Sequence, residues 1–114
     1  MQNHIFVYGT LRRTYTNKYA RFLHASATYK GKARMSGRKV KAGRYFGLTP
    51  PLAENDWVEG EVFEIHTPAA ILQELDTYEG PSYRREIRPA TLQTGEQLDC
   101  WVYLYLHNGF ADPK

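Results

Sequence analysis

The sequence predicts an α+β fold, a small mixed, curved β-sheet or barrel carrying two short helices, in a single domain over residues 1–114. Three observations point there. Residues 25–47 are short segments rich in Thr, Tyr, Met and Val, interrupted by Gly31, Gly37, Gly43 and Gly47, as in a strand meander that bends often. Thr67-Pro68 and Gly80-Pro81 bracket a stretch of helical periodicity. Residues 82–92 and 98–106 read as two strands joined by the turn Thr94-Gly95-Glu96, a hairpin. A chain of 114 residues with 42% hydrophobic content can bury one core but not two.

The chain opens with Ile5-Phe6-Val7-Tyr8, an apolar run of β-branched and aromatic residues that suits a buried strand. Gly9 ends it, permitting positive φ or close approach of another group to the backbone. Thr10 adds a hydroxyl beside the amides of Gly9, Thr10 and Leu11, and such amides can hold an anion or a carbonyl oxygen. A polar loop follows over 12–16. Residues 17–23 form a short helix capped by Thr16 or Asn17, whose free N-terminal amides would add to an anion site. Tyr45-Phe46-Gly47-Leu48 leads into a stiff loop at Pro50-Pro51, and 57–65 is a strand in which Gly60 marks a bulge or a close approach to a ligand.

In the second helix Ile71, Leu72, Leu75 and Tyr78 recur at helical spacing and mark the buried stripe. Glu79 follows Leu75 by four and Leu72 by seven, so it sits over that stripe instead of on the solvated face. It also ends the helix, where the macrodipole disfavours negative charge, and Asp76 three residues earlier adds like-charge repulsion. Each effect lifts its pKa from an ordinary value of about 4.3 toward neutrality. A carboxylate so placed can trade protons at neutral pH. In the hairpin, alternation puts Trp101, Tyr103 and Tyr105 on one face and Cys100, Val102, Leu104 and Leu106 on the other, and likewise groups Tyr83, Arg85 and Ile87. The aromatic face can line a pocket with hydroxyls at its rim, or pack as barrel core.

Two segments taken together, Tyr8-Gly9-Thr10-Leu11 and Leu75-Asp76-Thr77-Tyr78-Glu79-Gly80-Pro81-Ser82-Tyr83-Arg84-Arg85, with the aromatic strand around Trp101, Val102, Tyr103 and Tyr105, resemble the γ-glutamylcyclotransferase-like family. The likeness covers nearly the whole chain and departs from the family pattern at Thr14, where a glycine is usual. It implies an intramolecular reaction on a small γ-glutamyl substrate, an amine or an amino acid derivative: the α-amine attacks the side-chain amide carbonyl, closes 5-oxoproline and releases an amine. No cofactor is implied. Glu79 would be the general acid/base. The amides of Gly9, Thr10 and Leu11 would hold the oxyanion or the α-carboxylate, and Tyr8, Tyr83 and Tyr103 would shape the cavity. Arg85 would bind a carboxylate or lock the hairpin by pairing with an acid. A non-catalytic ligand-binding protein of the same fold is the rival reading.

Other chemistries find little support. Cys100 shares a face with Val102, Leu104 and Leu106 and reads as a buried small hydrophobe. His4, His24, His66 and His107 are scattered without the paired spacing of a metal site, and no Gly-rich phosphate loop is present. The cations Lys30, Lys32, Arg34, Arg38, Lys39, Lys41 and Arg44 have no acid among them and could meet phosphates, but on strands and turns they form a solvated face. Nucleic acid is therefore not the expected partner. No apolar run is long enough to span a bilayer, the first residues lack the features of a secretory signal, and one cysteine forms no internal disulfide. The expectation is a cytoplasmic protein with no membrane partner.

Overall fold

The computed structural model describes residues 2–42 and 45–106. Gly43, Arg44, His107 and the polar tail after it lie outside the described residues. The strands are β1 (His4–Val7), β2 (Ala27–Ser36), β3 (Arg38–Ala42), β4 (Tyr45–Thr49), β5 (Trp57–Ile65), β6 (Tyr83–Leu92) and β7 (Gln97–Tyr105), with helices α1 (Lys18–Ala25) and α2 (Pro68–Glu79). Strand order β1-β5-β2-β6-β7, closed by a parallel β1–β7 contact at Ile5 and Trp101, makes a five-stranded barrel. The β3–β4 hairpin hangs on it by a second parallel contact, Leu48 to Leu104. Strand β7 thus pairs with β6 along one edge and shares the other between β1 and β4.

Period-two alternation divides the apolar residues between two cores. Phe6, Met35, Val62, Cys100, Val102 and Leu104 point into the barrel and are buried there. On the outer surface Ile5, Val7, Phe63, Ile65 and Tyr103 pack under Ala20 and Leu23 of α1 and Ile71, Leu72 and Leu75 of α2. The aromatic face of β7 is therefore the outer face that the helices cover, and packing inside the barrel falls to its aliphatic face.

Local chemistry sets the element ends. Asn17 is the α1 cap, its Oδ1 accepting from the Ala20 amide at 2.9 Å. Thr67 sits at the α2 cap position with Pro68 next, but its hydroxyl makes no capping bond. At the other end Gly80 takes φ +80° and its amide bonds Asp76 O at 3.0 Å, which stops α2 immediately after Glu79. The 27–36 segment is one long strand bulged at Gly31, φ +134°, instead of several short pieces. Residues 45–49 are the strand β4, whose Gly47 lets it lie directly on Tyr105, and Pro50-Pro51 follow it outside any strand. Gly60 also serves packing: a side chain there would strike Val7 O and the Phe6 ring, so the close approach is to the barrel's own core and not to a ligand.

Candidate active site

A cavity of about 380 Å³ opens where β1 and β4 part along the edge of β7. Tyr8 bridges the gap. Its buried hydroxyl donates to Tyr103 O at 2.6 Å and accepts from the Leu48 amide at 3.1 Å, so one side chain ties β1 to both β7 and β4. Gly9, Thr10 and Leu11 form one wall, and Glu79 with Tyr78 forms another.

The 9–11 loop is held by its carbonyls. Gly9 O accepts from the Arg12 amide at 3.2 Å and Arg12 Nε at 3.1 Å, Thr10 O from Asn17 Nδ2 at 2.8 Å, and Leu11 O from His24 Nε2 at 2.9 Å. Glu61, buried, anchors the loop's far end by accepting from the Arg13 amide at 2.7 Å. Among the described residues the amides of Gly9, Thr10 and Leu11 have no protein acceptor, and all three residues line the cavity. A Cβ built on Gly9 meets nothing within 4 Å, and its φ is not positive. The glycine leaves room beside the backbone. Helix α1 contributes differently from expectation: its cap residue Asn17 spends one side-chain group on the helix and the other on Thr10 O, and the first turn of α1 does not line the cavity.

Glu79 is the single acidic residue of the lining. Burial first, and the Asp76 charge second, raise its carboxyl from 4.5 to about 7. Asp76 itself is held below the usual carboxylate range: burial works against its charge, but the Arg85 and Tyr103 hydrogen bonds outweigh it. The phenols around Glu79 stay protonated near neutrality. Burial and then the Glu79 charge push Tyr83 up to about 12, and the same two causes push Tyr8 higher. Tyr103 is raised by burial and by its bond to Asp76. Tyr78 connects the two walls, sharing a 2.7 Å hydrogen bond with Thr10 Oγ1 and stacking on Tyr19 at 4.5 Å between centroids.

Seven of the eight residues singled out from the sequence, Tyr8, Gly9, Thr10, Leu11, Glu79, Tyr83 and Tyr103, line this one cavity. Arg85 does not. Its guanidinium pairs with Asp76 through Nε at 2.8 Å and Nη2 at 3.0 Å and lies 4.2 Å from the Trp101 ring centroid, so it locks the hairpin to α2. Arg12, Tyr15, Lys39, Phe46 and Tyr78 also line the cavity and were not singled out for it. The stacking partner of Tyr78 had no sequence signal, whereas the Arg12 position, next to the glycine loop, did.

The family model described as "Gamma-glutamyl cyclotransferase, AIG2-like" matches residues 5–113. A protein of Methanocaldococcus jannaschii, provisionally named a gamma-glutamylcyclotransferase, is 30% identical over 107 residues, covering 90% of this chain and 83% of that protein. A Drosophila melanogaster protein with the same provisional name is 33% identical over 118 residues, covering 91% of this chain and 70% of that protein. The crystal structure of an AIG2-like protein from Mus musculus superposes with a TM-score of 0.73 at 28% identity, covering 97% of this chain and 80% of that one. Motif and barrel agree with these matches, and the chain belongs to the gamma-glutamyl cyclotransferase, AIG2-like family.

Proposed function

We propose that the protein converts a γ-glutamyl amine or γ-glutamyl amino acid to 5-oxoproline and a free amine, with Glu79 as general acid/base. The observation that carries the reading is a buried carboxyl raised to about 7 in the same cavity as three unclaimed backbone amides. A base poised near neutrality is what removal of a proton from an α-ammonium of pKa about 8 requires.

In this mechanism ionised Glu79 takes one proton from the substrate α-ammonium. The freed lone pair attacks the γ-carbonyl carbon, the new C–N bond closes the five-membered ring, and the carbonyl electrons move onto oxygen. Amides of Gly9, Thr10 and Leu11 hold that oxyanion or the α-carboxylate. Collapse of the oxyanion breaks the bond to the leaving nitrogen, which receives the first proton from Glu79. The ring nitrogen, still carrying two hydrogens after the attack, then gives its second proton to the regenerated Glu79 carboxylate, which passes it to the departing amine or to solvent. Tyr8, Tyr83 and Tyr103 keep the flexible γ-glutamyl chain folded, which supplies the proximity of amine and carbonyl. Arg85 acts at one remove, by holding Asp76 beside Glu79.

The test is mass-spectrometric detection of 5-oxoproline after incubation with γ-glutamyl amino acids and γ-glutamyl amines. Product from the wild type and none from a folded Glu79→Gln variant supports the reading. Full activity in that variant overturns the role of Glu79, and no product from the wild type across the panel overturns the activity.

A further inference from the structure

The cavity extends beyond the barrel onto the β3–β4 hairpin, where Lys39 and Phe46 complete its lining. Lys39 Nζ lies 4.8 Å from the Phe46 ring centroid, and the ring is 50% exposed. Phe46 is anchored from behind, since its carbonyl accepts from Tyr83 Oη at 3.2 Å. Arg12 adds a second cation to the lining. Among the described residues neither Arg12 nor Lys39 forms an ion pair with a carboxylate, and the only acid in the lining is Glu79.

A γ-glutamyl group brings one α-carboxylate and one α-amine. With the loop amides taking the α-carboxylate and Glu79 the α-amine, the hairpin's cation and exposed ring are left for whatever the γ-carbonyl carries. We propose that Lys39 and Phe46 read the leaving group, favouring γ-glutamyl amino acids, whose leaving amine bears a carboxylate and a side chain, over γ-glutamyl derivatives of cationic amines. The inference rests on the cyclotransferase reading and names its substrate class. A carboxylate on the leaving group gains the attraction of Lys39, with the side chain laid on Phe46. An ammonium at the same place meets like charge from Lys39 and Arg12.

The experiment compares kcat/KM for γ-glutamyl-leucine, γ-glutamyl-leucinamide and a γ-glutamyl diamine ending in an ammonium. The expected order is carboxylate, then amide, then ammonium. Lys39→Met lowers the leucine-to-leucinamide ratio about two- to fivefold, the size of a part-exposed charge pair. Lys30→Met, which removes a cation paired with Glu64 outside the cavity, leaves that ratio at the wild-type value. An unchanged ratio in Lys39→Met, an equal fall in Lys30→Met, or a wild-type preference for the ammonium overturns the proposal. Calorimetric binding of the same three compounds to Glu79→Gln reads the preference without turnover. If the wild type forms no 5-oxoproline from any of them, the cyclotransferase reading fails, while the binding order still decides the role of Lys39.

Discussion

Tyr103 Oη donates a 2.6 Å hydrogen bond to Asp76 Oδ1, the same oxygen that takes Arg85 Nε at 2.8 Å. The β6–β7 hairpin thereby fixes a charge on α2 one turn before Glu79, and that charge stays ionised through the range where Glu79 titrates. Burial raises the Glu79 carboxyl first, and the charge that this contact holds in place adds to it.

Glu79 must be ionised to accept a proton, so kcat/KM should rise with pH to a plateau with a midpoint near 7. The same shift has a stability counterpart. Its folded value lies above its ordinary 4.5, so its contribution is fully present below about 4.5 and is lost as pH rises through about 7. Glu79→Gln should therefore match the wild type in acid and exceed it in denaturant stability above pH 7, by on the order of 3 kcal/mol. Equal stability at both ends would show that Glu79 is solvated.

Removing the neighbouring charge should move the limb. Asp76→Asn is expected to shift the midpoint of the pH profile below that of the wild type, because like-charge repulsion on Glu79 is gone. The lowered Asp76 value stabilises the fold above its ordinary 3.8 and that gain is lost as pH falls through the folded value. Because Asp76 is 44% exposed, the variant should lose only about 1 kcal/mol at neutral pH after solvent screening. A profile that does not move would separate Asp76 from Glu79.

Tyr8→Phe deletes one hydroxyl and two bonds, leaving Tyr103 O and the Leu48 amide without that partner. The expected loss is about 2–3 kcal/mol in urea unfolding, together with a higher KM as the join between β1, β4 and β7 loosens. Wild-type stability would mean that water replaces the hydroxyl at no net cost.

Two glycines should respond in opposite ways. Gly9→Ala meets no protein atom, so the fold should persist while KM for a γ-glutamyl substrate rises, read by thermal unfolding beside steady-state kinetics. Gly60→Ala drives a methyl into Val7 O and the Phe6 ring, and should lose about 2–3 kcal/mol of stability.

Much of this was legible in the sequence because it is local. The α2 boundaries, the placement of Glu79 over the apolar stripe, and the hairpin turn at Gly95, φ +96°, follow from spacing and turn chemistry. Alternation along β7 sorted its residues into two faces but carried no sign of which faced the barrel, since both faces are buried and only the helices' position decides. Arg85 had two possible partners, and Asp76, nine residues away in sequence, is paired with it only once β6 lies beside α2. Lys39 looked like part of a solvated face because nothing local reveals that β4 adds to β7 and brings the hairpin over the cavity.

The parallel contact of Ile5 with Trp101 joins the beginning of the chain to a strand near its end. Long-range pairings of this kind are slow to form, because loop-closure entropy precedes any gain from the contact. The 9–11 loop leaves β1 directly, and Tyr8 reaches its partners only when β7 and β4 are in place. A chain that has folded its α2 and its β6–β7 hairpin but not closed thus carries Glu79 without the amides that would face it. On the proposed mechanism, a nascent or partly unfolded copy in which β1 has not met β7 is expected to be chemically silent.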